Sequence, residues 1–409
     1  METYLLDWAN LLIRWVHVIT AIAWIGSSFY FVFLDNNLVK PTSPDLLEKG
    51  VGGAMWAVHG GGFYNPQKYM GAPKNIDSHL HWFYWESYST WLSGFALFTL
   101  MYLYNAGTYL IDKSLMDWDQ ADAIGVALCF LGGFWFIYDF VCRIFGSSKN
   151  GEAIVGGVML VVITALTWLA CHWFAGRAAF LLVGAMIATA MSANVFFWII
   201  PGQRIVVAAM TSGKPYDAES LAIHGKRGKQ RSVHNTYFTL PVLFAMLSNH
   251  YSFTYTHEHN WLVLVMMMLA GAAIRQYFVL RHGFKHGRNG NPIPYAIAGL
   301  VVILAVIVWL APSSQPAPQA TLDKASAGAV IAPKTDTAAI LAIAKERCIM
   351  CHGAALQQKG IRLDSAALLE KNAALVYQQV VVTKLMPMNN ATGVTPAERQ
   401  QIADWYKAR

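Results

Sequence analysis

Eight long apolar stretches dominate this chain and leave it few folds. They lie near 8–34, 82–104, 122–143, 153–174, 178–200, 235–253, 260–281 and 293–311, each close to the roughly 20 residues that a helix needs to cross a bilayer. Lipid offers no partner to an unpaired backbone amide, so such segments are expected to be helices. Charge is scarce to match. Only 13% of the 409 residues are Asp, Glu, Lys or Arg, and mean hydropathy is +0.37, against about 25% charged in an ordinary soluble domain. Five cysteines are too few for a disulfide-stapled secreted module. The expected fold class is therefore all-α, with a polytopic membrane helix bundle of about eight transmembrane helices over 1–311. The first stretch has no basic leader and is expected to stay in the mature protein.

Loop charges set the expected orientation. The loops after the first, third, fifth and seventh stretches hold 15 Lys and Arg, whereas the N-terminus and the other three loops hold only Lys113 and Arg177. By the positive-inside rule both chain ends lie outside the cytoplasm, in the periplasm if the membrane is a bacterial inner membrane. The net charge of +7 then reports topology. The basic run at 225–231 is expected to face the cytoplasm or lipid headgroups, and no nucleic-acid partner is expected.

Composition changes after Pro312. Residues 312–334 are rich in Pro, Ala and Ser and read as a tether. The remaining 335–409 open with a helical pattern that contains Cys348-Ile-Met-Cys351-His352. Two thiols three residues apart on one helical turn can each bond a vinyl group of one haem, and His352 then meets the iron. Zinc is the other use of such a pair, but no second Cys pair follows it. The expected second axial ligand is Met386, directly before Pro387, with Met388 as second choice; a thioether there raises the potential. Thr395-Pro396-Ala397-Glu398 combines a capping box with Pro at the first helical position. It opens a final helix whose Trp405 and Tyr406 are expected to pack on the first helix of this segment. This order, with a middle helix near 365–384 between haem attachment and Met loop, resembles a small class I cytochrome c domain. Covalent haem attachment is periplasmic chemistry in bacteria, which agrees with the loop charges.

Polar residues inside apolar segments are costly and need a reason. Arg14 and His17, at i, i+3, share one helix face. They could hold a b-type haem, His17 on the iron and Arg14 on a propionate, with His250 among the other histidines of the same outer side. At the inner side stand His81, Glu86, Asp139, Arg204, His234, Asn235, Tyr237, Arg275 and Gln276. Together these could line a cavity for a planar, hydrogen-bonding, partly anionic molecule. Snorkelling ends and interhelical hydrogen bonds are the structural alternative.

The stretches RWVHVITAIAWIGSSFYF (14–31), HLHWFYWESYSTWLSG (79–94) and HNTYFTLPVLFAMLSNHY (234–251) resemble the membrane domain of the bacterial membrane-bound urate oxidases, or urate hydroxylases. In that family an eight-helix membrane domain precedes a C-terminal cytochrome c. The resemblance implies oxidation of urate to 5-hydroxyisourate with oxygen from water and without peroxide release. Electrons would leave through the covalent haem c to a soluble cytochrome c and the respiratory chain. It carries no residue-level catalytic scheme onto these positions. From the chemistry, Glu86 or His81 is the expected base, and Arg275 and Gln276 are the expected substrate holders. Two other classes remain open: a haem electron-transfer subunit fed by quinol, and a transporter with an accessory cytochrome.

Overall fold

All eight apolar stretches are helical in the computed structural model, which describes residues 2–73, 76–77, 79–311, 336–382 and 384–408. The expected tether at 312–334 lies outside them. The chain opens with α1 (Glu2–Asn37), then a short α2 (Pro44–Glu48) and four strands, β1 (Val51–Ala54), β2 (Ala57–His59), β3 (Gly62–Tyr64) and β4 (Gln67–Tyr69). These strands form two antiparallel ribbons, β1 with β4 and β2 with β3, a local exception within a helical protein.

The rest of the bundle comprises α3 (Trp85–Phe98), α4 (Ala106–Tyr109), α5 (Gln120–Phe145), α6 (Gly151–Trp173), α7 (Gly176–Asn194), α8 (Ile200–Thr211), α9 (Ala218–Leu247), α10 (Ser252–Tyr255), α11 (Asn260–Lys285) and α12 (Ile293–Trp309). Among the described residues, five stretches are long and apolar enough to cross a membrane: Tyr4–Asn37, Gln120–Phe145, Gly151–Trp173, Gly176–Thr211 and Asn260–Lys285. Each of the other three departs from that pattern for its own reason. The α3 helix passes into a π-helical turn at Thr99–Leu103. The first half of α9 carries the basic run 225–231, and α12 has only 17 residues.

The central helix is α7, whose Ala178, Ala179, Phe180, Leu182, Val183 and Met186 are fully buried. It packs on α5, α6 and α9, while α1 pairs with α3 and α11 with α12. Small residues set the closest approach. A Cβ on Gly184 of α7 would lie 2.8 Å from the Ala245 Cβ of α9, so the two backbones meet there as small residues allow in membrane bundles.

The C-terminal segment has a second, separate core of Ile340, Ala344, Leu369, Val376, Ile402 and Trp405. It is built from α13 (Thr337–Arg347), α14 (Ile349–His352), α15 (Ala366–Lys371), α16 (Ala373–Val376) and α17 (Pro396–Lys407). The expected middle helix is broken. Asn372 turns its amide onto the carbonyls of Leu368 (2.8 Å) and Arg362 (3.4 Å), a side-chain competition that splits it into α15 and α16. A π-helical turn, Tyr377–Val382, then continues α16. The capping box of Thr395 and Glu398 is formed in full. The Trp405 indole donates to Thr337 Oγ1 at 3.1 Å, so it reaches α13 as expected. Tyr406 packs against the same core and stacks on Tyr377 at 4.4 Å. The turn Met388–Asn390 of this segment packs against α4 of the bundle, at the end where Asp7 of α1 also acts on Tyr109.

Candidate functional site

Cys348 caps α13, and Cys351 and His352 follow within one turn. Both thiols are free. Burial pushes the Cys348 thiol up to about 11 and raises that of Cys351. The His352 Nδ1 lies 3.2 Å from the Ile361 carbonyl. Donating there fixes the tautomer and leaves Nε2 with its lone pair, the arrangement that metal-ligating histidines adopt.

Met386 packs against the same core, and Arg399 of α17 fastens its loop. The guanidinium donates to the carbonyl of Met386 (3.0 Å), to the carbonyl of Val380 and to Asn390 Oδ1 (3.0 Å). Burial lowers the pKa of Arg399, and Glu398 opposes that shift. The donor set suits a haem fixed by two thioethers and held between His352 and Met386. Among the described residues no group of three or more His, Cys, Asp or Glu is arranged to hold a bare metal ion. A haem held by His352 and Met386 would draw on only one such side chain for its iron.

Arg14 and His17 do share a face of α1, turned toward α3 and the π-helical turn after it. The His17 Nδ1 is 3.0 Å from the Thr90 carbonyl and 3.1 Å from Ser93 Oγ. Its ring lies so close to Gly94 that a Cβ there would come within 2.8 Å. Arg14 is held by Asn10 Oδ1 at 3.0 and 3.2 Å and lies 3.7 Å from Met101 Sδ. His250 is exposed just beyond α9. Its neighbour Asn249 accepts hydrogen bonds from Tyr102 (3.1 Å) and Arg177 (3.0 Å).

Asp139 organises the opposite end. Its carboxylate accepts from Arg143, Arg231 and Trp198, each at 2.7 Å, tying α5 to α9 and to the turn between α7 and α8. The Arg231 side chain is 3% exposed and that of Asp139 7%. Removing one partner leaves a buried charge uncompensated. Asp139→Ala is therefore expected to cost about 3–5 kcal/mol, read as a lower thermal unfolding midpoint in detergent.

Beside it, starting from the adjacent Tyr138, a hydrogen-bonded chain runs outward. The Tyr138 hydroxyl lies 2.8 Å from His234 Nδ1, and His234 Nε2 lies 3.0 Å from Glu152 Oε2. Asn194 donates to the Tyr138 oxygen at 3.0 Å, and Gln230 donates to the other Glu152 oxygen at 2.9 Å. The His234 side chain is 11% exposed, whereas that of Glu152 is 62% exposed. Tyr138, Glu152, His234 and Tyr237 form the polar part of a cavity of about 410 Å³, within the size range of small-molecule sites, about 300–1,000 Å³. Its other walls, including Met159, Ile163, Phe238 and Val265, are apolar apart from Thr164.

Arg275 and Gln276 adjoin this cavity, since Ala272, one turn earlier on α11, lines it. The Tyr237 hydroxyl donates to Gln276 Oε1. Arg275 is 5% exposed, with its guanidinium carbon 3.8 Å from the Phe29 ring centre. Its Nε and Nη2 are buried without a hydrogen-bond partner among the described residues. A buried cation with idle donors is matched by an anion that can accept two parallel hydrogen bonds.

The structure thus brings Arg275, Gln276, Tyr237 and His234 to one region. Glu86 stands half-buried in the first turn of α3, and His81 is exposed against Phe83 at 4.5 Å; neither lines the cavity. Sequence reasoning missed Tyr138 and Glu152. A usable signal existed in His234, a polar group that needs partners at its own depth on neighbouring helices.

Residues 3–311 match the family model described as Urate oxidase N-terminal. No curated protein and no solved structure matches the chain.

Proposed function

Because the chain belongs to the Urate oxidase N-terminal family, we propose that it is a membrane oxidoreductase converting urate to 5-hydroxyisourate beside Arg275. We further propose that the electrons leave through a haem c on Cys348, Cys351, His352 and Met386. Family membership by itself supports an oxidoreductase acting on urate, and the apolar helices support a membrane protein. The observation that carries the placement is Arg275, a buried guanidinium with two unused donors. Urate is flat, acidic and edged with carbonyls, so an Arg fork and the Gln276 amide suit it.

The reaction balances without dioxygen. Urate monoanion and water give 5-hydroxyisourate, one proton and two electrons. A haem c with a Met ligand would supply a one-electron acceptor of raised potential. The chain's own part there is to hold His352 by the Ile361 carbonyl and the Met386 loop by Arg399.

His17, its Nδ1 on the Thr90 carbonyl, is the proposed ligand of an additional b-type haem, with Arg14 beside it. His250 is a further candidate ligand on the same side. The proposed setting is a bacterial inner membrane, with the N-terminus and cytochrome-like segment in the periplasm; the basic loops support it. A soluble cytochrome c is the proposed acceptor. Ten Lys and Arg against six Asp and Glu over 334–409 favour an acidic face on that partner.

The test is optical. Urate added to oxidised protein in membranes is expected to reduce the haem c α band. Reduction by a quinol but not by urate would overturn the reading in favour of an electron-transfer subunit, and urate uptake without spectral change would favour transport. The same sample as pyridine haemochrome is expected to show non-covalent haem beside haem c; haem c alone would remove the role given to His17.

A further inference from the structure

We propose that Tyr138, His234 and Glu152 form the proton exit of the urate site, with the Tyr138 oxygen as the group that receives the proton. This rests on the urate reading above and adds to it the route by which the reaction's one proton leaves.

Three features support the route. The chain of groups is continuous, at 2.8 Å from Tyr138 to His234 and 3.0 Å from His234 to Glu152. All three residues line the cavity that adjoins Gln276 and Arg275. Exposure rises along the chain, from a fully buried Tyr138 through His234 to Glu152, so it begins in the dry interior and ends at an exposed carboxylate. Interhelical bonding alone calls for no such gradient.

The polarity of the chain is set by its neighbours. Asn194 donates to the Tyr138 oxygen, so the hydroxyl proton is free to point at His234 Nδ1. A neutral imidazole accepting at Nδ1 carries its proton on Nε2, aimed at Glu152. When the water that attacks urate gives up a proton, an O–H bond forms at the Tyr138 oxygen and the tyrosine's own proton passes to His234 Nδ1. The Nε2 proton passes to Glu152 and from there to solvent. Three bonds to hydrogen break and three form, leaving the tyrosine neutral, and the return of His234 to its starting tautomer completes the cycle. The two electrons go to the acceptor named above.

The helices separate the two exits. Glu152 lies at the start of α6, next to the end of α5, whereas the cytochrome-like segment packs on α4, which precedes α5. The 26 residues of α5 span about 39 Å. Protons and electrons therefore leave toward opposite ends of the bundle.

The experiment compares wild type, His234→Ala and Tyr138→Phe in the full-length, haem-loaded protein. Each is assayed for turnover with a soluble cytochrome c and for urate binding by equilibrium dialysis with labelled urate. Loss of a general base costs about 100-fold in rate at the low end. A loss of that order is expected in both variants, with urate affinity within about two-fold of wild type on the same argument, because neither residue holds the substrate. Added imidazole is expected to restore part of the His234→Ala rate, a recovery that a purely structural histidine would not give. Near-wild-type turnover in His234→Ala, or intact binding with no imidazole recovery, overturns the proton exit and leaves the urate reading standing. A wild type that neither binds nor oxidises urate removes both. Should His234→Ala fail to fold, Tyr138→Phe, which deletes one hydroxyl, decides by its rate and its solvent isotope effect. A normal rate and an unchanged isotope effect overturn the proposal.

Discussion

Changing Cys348 and Cys351 together to alanine is expected to leave no haem on the denatured chain and to abolish urate turnover, while the membrane bundle folds as before. The bundle has its own core, distinct from that of the C-terminal segment, so the loss should be confined to electron exit. The folded thiols are poor nucleophiles by themselves. With Cys348 pushed up to about 11 and Cys351 also raised, neither is a thiolate at neutral pH, and the thiolate is the reactive form. The proposed attachment is therefore favoured while the segment is still open, before Cys348 packs among its core neighbours. Haem staining on a denaturing gel checks the claim, and membrane content measured by immunoblot separates lost haem from lost protein. Stain persisting at full strength would place the attachment elsewhere; wild-type turnover without stain would detach the reaction from this iron altogether.

Features encoded over a few residues could be read from the sequence. The capping box at Thr395 and Glu398 needs only four positions, and it forms as expected. The apolar runs gave helices because lipid leaves no other solution, but their ends depend on what lies beyond. The sixth stretch was expected from 235, whereas α9 begins at Ala218, since a basic helix can extend out of the apolar layer. The ribbons after α2 lie in a loop without the sustained alternation that marks strands. There Gly60 and Gly61, at φ +59° and +78°, make the tight turn between β2 and β3.

The site divides along the same line. Arg275 and Gln276 were visible because an ionisable or amide group inside an apolar run needs a reason. Glu152 was not, because an acid near a helix start looks like an ordinary surface residue. Its meaning comes from His234, which is 82 residues away in the chain and 3.0 Å away in space. Asp139 shows the converse. Its place inside an apolar stretch suits a cavity residue, yet its three donors make it the tie between α5, α9 and the turn after α7.

Arg275→Met offers the sharpest separation of function from fold. Each buried donor left without a partner costs about 1–3 kcal/mol, and Arg275 has two of them, Nε and Nη2. Methionine keeps the apolar stem and the contact with Phe29 but removes the charge, and replacing buried ionic groups by packed apolar ones is often neutral or stabilising. Thermal unfolding in detergent is therefore expected at or above the wild-type midpoint. Turnover should move the other way. A charge-assisted hydrogen bond contributes about 1.5–3 kcal/mol, which at about 1.4 kcal/mol per factor of ten is a loss of roughly 10- to 100-fold in kcat/KM for urate. A residue kept for structure alone would give the opposite pattern, a less stable protein with catalysis unchanged in the fraction that folds. That outcome would dissociate Arg275 from the substrate and leave its idle guanidinium unexplained. A stable, slow variant is what an anion-holding arginine produces, because the wild type bears its cost in the empty state and recovers it only when the anion arrives.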